Sequence, residues 1–119
     1  MKLKDRFPDE VKQYWTGWYV CLGKDFETDK ECNKNHADCL HHIIASQSSY
    51  DYIKGKHNES ILNSCPLNND ECHIHKNLHT FAKQKYFLLR VKSILDSQGY
   101  RYKEIDREFI KKYNKYYQS

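Results

Sequence analysis

The apolar spacing changes character once along this chain, and that change limits the architectures open to it. Within "HIHKNLHTFAKQKYFLLRVKSILDSQG", Leu78, Phe81, Phe87, Leu88, Val91, Ile94 and Leu95 recur at helical intervals, and Gly99 is a natural stop. The tail repeats the pattern with Ile105, Phe109, Ile110, Tyr113, Tyr116 and Tyr117, which predicts a last amphipathic helix. Upstream the periods are short. "PDEVKQYW" opens a short helix, with Pro8 at the first turn and acids after it. "TGWYVCLGKDFETDKECNKNHADC" is turn-rich, with Gly17 and Gly23 bracketing "WYVCL", and reads as a short strand or knuckle followed by a polar loop. "ADCLHHIIAS" reads as a strand and "QSSYDYIKGKHNES" as a loop or one-turn helix around Gly55. "ILNSCPLNNDEC" begins with strand character that Pro66 interrupts. The expected fold class is therefore α+β, with strand, loop, strand and helix at its centre and further helices at the C-terminal end.

A chain of 119 residues predicts a single domain, 1–119, and a hydrophobic content of 39% with mean hydropathy −0.97 predicts a small core. Small cores recruit metal or oligomerisation as support. Ten Tyr and two Trp offset the shortage of aliphatic side chains. No apolar run approaches the ~18 residues of a membrane helix, and "MKLKDRFPDE" lacks the apolar stretch of a secretory signal. These features predict a cytoplasmic protein with no membrane partner, where disulfides are disfavoured. The five cysteines agree, being odd in number and without a CxxC pair.

Chemistry-bearing residues concentrate in the centre. His41 and His42 are adjacent in the first predicted strand, so they point to opposite faces. Asn63 precedes Cys65-Pro66-Leu67, and His73, His75 and His79 follow. His75 and His79, spaced i, i+4, share one face of a helix and can hold a metal ion. One imidazole of the doublet can join that metal while its neighbour serves as a base, an arrangement suited to phosphodiester hydrolysis.

The segments "LHHII", "NSCPL" and "CHIHKNLH", over about a third of the chain, resemble the HNH endonucleases. The double histidine with H-x3-H resembles the colicin-type variant, and Cys72-His73 resembles the "CH" ending of small phage and bacterial members. The resemblance implies a ββα-metal core at about 39–80, clasping one divalent ion (Mg2+, Mn2+ or Zn2+), with a basic helical part at about 80–117. It implies His41, His75 and His79 as metal ligands, with His73 the alternative ligand. It also implies His42 as general base and Asn63 as the brace of the loop that orients it. Asn58 is a rival to Asn63, and His75 is preferred to His73 because the i+4 partner of His73 would be Asn77.

Many members of that family carry a second, structural zinc on paired knuckles. Here Cys32 and Cys39, and likewise Cys65 and Cys72, are each separated by six residues, so these four thiols are the candidate set, with His36 as a substitute. The alternative is that Cys39 and Cys65 are small buried side chains, as Cys21 in "WYVCL" is expected to be. Ten Lys or Arg lie between Lys83 and Lys115 against four acids, and Lys83, Lys85, Arg90 and Lys92 are the candidate DNA contacts. The expected activity is metal-dependent DNA cleavage by a protein acting alone, as a homodimer or within a larger phage or bacterial complex. RNA is a less favoured substrate. Competing readings are a zinc-braced nucleic-acid-binding module that does not cut, and a protein-interaction module that uses its Tyr-rich tail.

Overall fold

In the computed structural model, which describes residues 7–44, 59–68 and 80–118, two short antiparallel sheets pack against helices in a small α+β domain. The order is α1 (Asp9–Trp15), β1 (Lys24–Asp25), β2 (Lys30–Glu31), β3 (Cys39–His42), a 3-10 turn (Ile61–Asn63), β4 (Ser64–Leu67), α2 (Phe81–Ser97), α3 (Glu104–Lys112) and α4 (Asn114–Tyr117). Among the described residues no helix is long and apolar enough to cross a membrane.

The helices begin and end for local reasons. Helix α1 starts after Pro8, with Asp9 and Glu10 at its positive end, and stops where Gly17 takes a left-handed φ of 86°. In α2 the Thr80 hydroxyl accepts from the Lys83 N–H at 3.3 Å and caps the first turn. At the other end Gly99 adopts φ 71°, its N–H bonds Asp96 O, and the Tyr100 N–H reaches back to Leu95 O. That pair of bonds is a Schellman motif, and it turns the chain toward α3. The predicted tail helix divides at Tyr113, into α3 and α4, while Phe109, Tyr113 and Tyr116 all stay buried.

The polar stretch expected to be a loop is instead a ribbon. Lys24 pairs with Glu31 and Asp25 with Lys30. Its turn is held by the Asp25 carboxylate, which accepts from the Glu27 and Thr28 N–H groups, and Asp29 takes φ 61°. β1 and β2 have no buried residue, so neither carries the alternation by which a strand is recognised. "WYVCL" forms no strand, but Cys21 continues the ribbon through backbone bonds to Lys34 and Asn33.

β3 and β4 form the second sheet, with Cys39 opposite Leu67, Leu40 opposite Pro66, His41 opposite Cys65 and His42 opposite Ser64. The strand runs through Pro66, against the expectation that proline would interrupt it. The Pro66 carbonyl accepts from the Leu22 N–H, so this peptide serves the ribbon side. A proline is tolerated where the ladder does not require its N–H.

All four residues of β4 are buried. Around them the core gathers Trp15, Leu22, Leu40, Ile43, Leu62, Phe87, Leu88, Val91, Leu95 and Phe109. The Trp15 indole donates to Ser64 Oγ at 2.7 Å, tying α1 to the start of the strand. From the opposite side Asp106 of α3, 1% exposed, accepts from the Ser60 hydroxyl at 2.6 Å, the Tyr100 hydroxyl at 2.7 Å and the Lys103 N–H at 2.8 Å. Ser60 Oγ in turn accepts from the Leu62 N–H. One buried carboxylate thus fixes the 3-10 turn, the entry to α3 and the turn after α2.

Asp106→Ala would leave those three donors without their shared acceptor. The expected loss is about 2 kcal/mol, because the Ser60 hydroxyl is then buried unsatisfied while the part-buried Tyr100 and Lys103 donors can turn to water. Urea unfolding should show a lower midpoint at unchanged slope.

Candidate functional site

The β3–β4 ladder brings His41, His42 and Asn63 together. Asn63 is fully buried, and its carboxamide makes a two-way clamp on one residue. Its Oδ1 accepts from the Ile44 N–H at 2.7 Å, and its Nδ2 donates to the Ile44 carbonyl at 3.2 Å. The Ile43 N–H adds a bond to the Asn63 carbonyl at 3.0 Å. The chain leaving β3 is therefore held immediately after His42, with Ile43 and Ile44 buried beneath it.

The two imidazoles have different surroundings, as adjacent strand positions require. His42 stacks on Phe7 with ring centroids 4.0 Å apart and planes 16° from parallel. Nε2 of His41 lies 2.9 Å from Cys39 Sγ, two residues back on the same face. His73, His75, His79, Cys72 and Asn58 lie outside the described residues, so the expected ligand set is seen here only through His41.

A different group of soft donors lies at the ribbon. Ligand atoms of Cys21, Cys32 and His36 all fall within 4.8 Å of one another, a grouping that could hold a metal ion. The Cys32 Sγ to His36 Nε2 separation is 3.1 Å. Of the cysteines expected to form one site, Cys32 joins this group and Cys39 sits beside His41. Cys65 is fully buried in β4, and burial pushes its thiol well above the usual range. His36, expected as a substitute, takes its place beside Cys32. Cys21 was legible only as a buried thiol, and burial is indeed complete. The overlooked signal is Gly23 two residues later, whose N–H approaches Cys21 Sγ at 3.4 Å.

The four candidate DNA contacts are all on α2, but their surroundings differ. Arg90 turns inward: its guanidinium donates to the Leu22 carbonyl at 3.2 Å, the Tyr86 hydroxyl at 3.2 Å and Asn33 Oδ1 at 2.6 Å. It also pairs with Glu31 at 3.1 Å. Burial first, and then the hydrogen bond it donates to Glu31, push the Tyr86 hydroxyl up to about 12. Lys92 is paired with Asp96 at 2.8 Å. Lys83 lies over the Phe26 ring at 5.5 Å, and among the described residues neither Lys83 nor Lys85 has a carboxylate partner.

No family model, curated protein or solved structure matches the chain.

Asn63→Asp keeps the acceptor for the Ile44 N–H but sets a carboxylate oxygen against the Ile44 carbonyl. Asn63→Ala removes both bonds in a buried position, for an expected loss of about 2–4 kcal/mol. Both variants should melt lower than the parent, and amide exchange at Ile44 should accelerate. Unchanged protection of Ile44 in Asn63→Ala would show that the carboxamide does not hold this segment.

Proposed function

We propose that the chain is a metal-dependent DNA endonuclease with an HNH-type, ββα-metal site. The observation that carries this reading is the Asn63 clamp on the Ile44 backbone, two residues beyond His42. A general base must keep a fixed angle to the water it deprotonates, and a braced strand end behind the imidazole provides that. In this reading His42 is the base, its ring plane held by Phe7.

His41, on the other side of the strand, holds one divalent ion together with His75 and His79, with His73 as the alternative ligand. The donor chemistry fits: the described member is an imidazole beside a thiol, which suits a transition ion such as zinc better than magnesium. Bound there, the ion would neutralise the phosphate and stabilise the leaving oxygen. Phosphate contacts from Lys83 and Lys85 would position a duplex without reading its sequence. Arg90 and Lys92, already paired within the fold, contribute less.

A second reading, favoured by the Cys21, Cys32 and His36 group, is a zinc-braced nucleic-acid-binding module that does not cut.

Plasmid nicking with magnesium, manganese or zinc tests both. The purified protein should nick supercoiled DNA, and His42→Ala should reduce the rate by about 10²–10⁴-fold while the helical circular dichroism is unchanged. Undiminished nicking by that variant would remove His42 as the base. Binding of DNA by the parent without nicking under any of the three ions would favour the second reading.

A further inference from the structure

We infer that Cys21, Cys32 and His36 are, among the described residues, the ligands of a structural zinc ion that closes the base of the ribbon. The inference is independent of whether the chain cuts DNA.

Backbone geometry sets up the three donors before any ion is considered. Cys21 and Cys32 lie on facing limbs of the ribbon, joined by the Cys32 N–H to the Gly23 carbonyl at 2.8 Å and the Asn33 N–H to the Cys21 carbonyl at 3.2 Å. Asn33 then adopts a left-handed φ of 53°, a conformation asparagine tolerates better than most residues. That turn brings His36 back against Cys32. For zinc, bond lengths of about 2.3 Å to sulfur and 2.0–2.1 Å to nitrogen in a tetrahedron give donor separations of about 3.5–3.8 Å. The observed 3.1 Å between Cys32 and His36, within a group spanning no more than 4.8 Å, brackets that edge.

Two further features hold the sulfurs in place. Cys21 Sγ is approached by the Gly23 N–H at 3.4 Å and the Asn68 N–H at 3.3 Å. Backbone N–H groups directed at sulfur stabilise its anionic, metal-binding form. Arg90 also places a fixed cation across the site, donating to Leu22 beside Cys21 and to Asn33 beside Cys32. It holds the two limbs at a common spacing. Two sulfurs and one imidazole form a soft donor set that selects zinc over magnesium or calcium.

The ion would act on the core sheet through short connections. Leu22, next to Cys21, bonds the Pro66 carbonyl of β4, and Asn68, at the end of β4, bonds both Cys21 Sγ and the His36 carbonyl. Closing the ribbon therefore anchors the edge of the strand that faces His41 and His42.

The test is cobalt(II) substitution of the full chain, read by thiolate-to-cobalt charge-transfer absorption, together with zinc analysis of the protein as purified. The parent should carry one sulfur-ligated metal per chain. Cys32→Ser and His36→Ala should lose it, whereas Cys39→Ser and His41→Ala should keep it. Retention in the last two separates this site from an ion at His41. His36→Cys should retain the metal with a stronger charge-transfer band, a gain of signal that an unfolded variant would not produce. Loss of the metal in Cys39→Ser with retention in Cys32→Ser would overturn the assignment. So would absence of the band in folded parent protein, or a Cys21–Cys32 disulfide found by thiol titration.

Discussion

The backbone of β4 is the constraint on which the rest of the molecule depends. Four consecutive buried residues bring their peptide groups out of water, and every one of those groups requires a partner. β3 supplies one side, and the other is reached through the Leu22 N–H from the ribbon. Side chains close the ends, with Trp15 on Ser64 and Asp106 holding the turn that precedes the strand. The hydrophobic core is small, so the placement of this strand is set as much by directional hydrogen bonds as by packing.

That arrangement separates two kinds of polar chemistry. Asp106 and Asn63 are buried and have several partners each, and their work is to hold backbone in place. His41, His42, Cys32 and His36 are half-buried. Arg90 belongs to the first kind although its charge suggests the second. A guanidinium offers a planar fork of donors, and here each arm finds an internal oxygen. Counting basic residues along α2 therefore overstates the charge available to a polyanion.

The sequence made the helices legible and the ribbon illegible for the same reason. Phe87, Leu88, Val91 and Leu95 repeat with a helical period because one face of α2 is buried, and Gly99 marks its end by conformation. Lys24–Asp25 and Lys30–Glu31 bury neither face, so their pairing rests on turn geometry and backbone bonds that no hydropathy pattern records. Asn63 stands out only through the resemblance of its neighbourhood to a known motif, and its clamp on Ile44 leaves no mark in the hydropathy pattern. The Cys21, Cys32 and His36 group was not legible, because ten residues separate its thiols and only the folded ribbon closes that gap.

The contacts that hold β4 also order the events of folding. Trp15 reaches Ser64 across 49 residues, Arg90 reaches Leu22 across 68, and the Tyr14 hydroxyl reaches Gln98 across 84. Helix α2 can form from local contacts alone, whereas the strand acquires its last anchor only when Asp106 arrives. During synthesis the turn that leads into β4 thus lacks this anchor until α3 has emerged. A chain cut before Asp106 would therefore lack the contact that fixes the 3-10 turn ahead of β4.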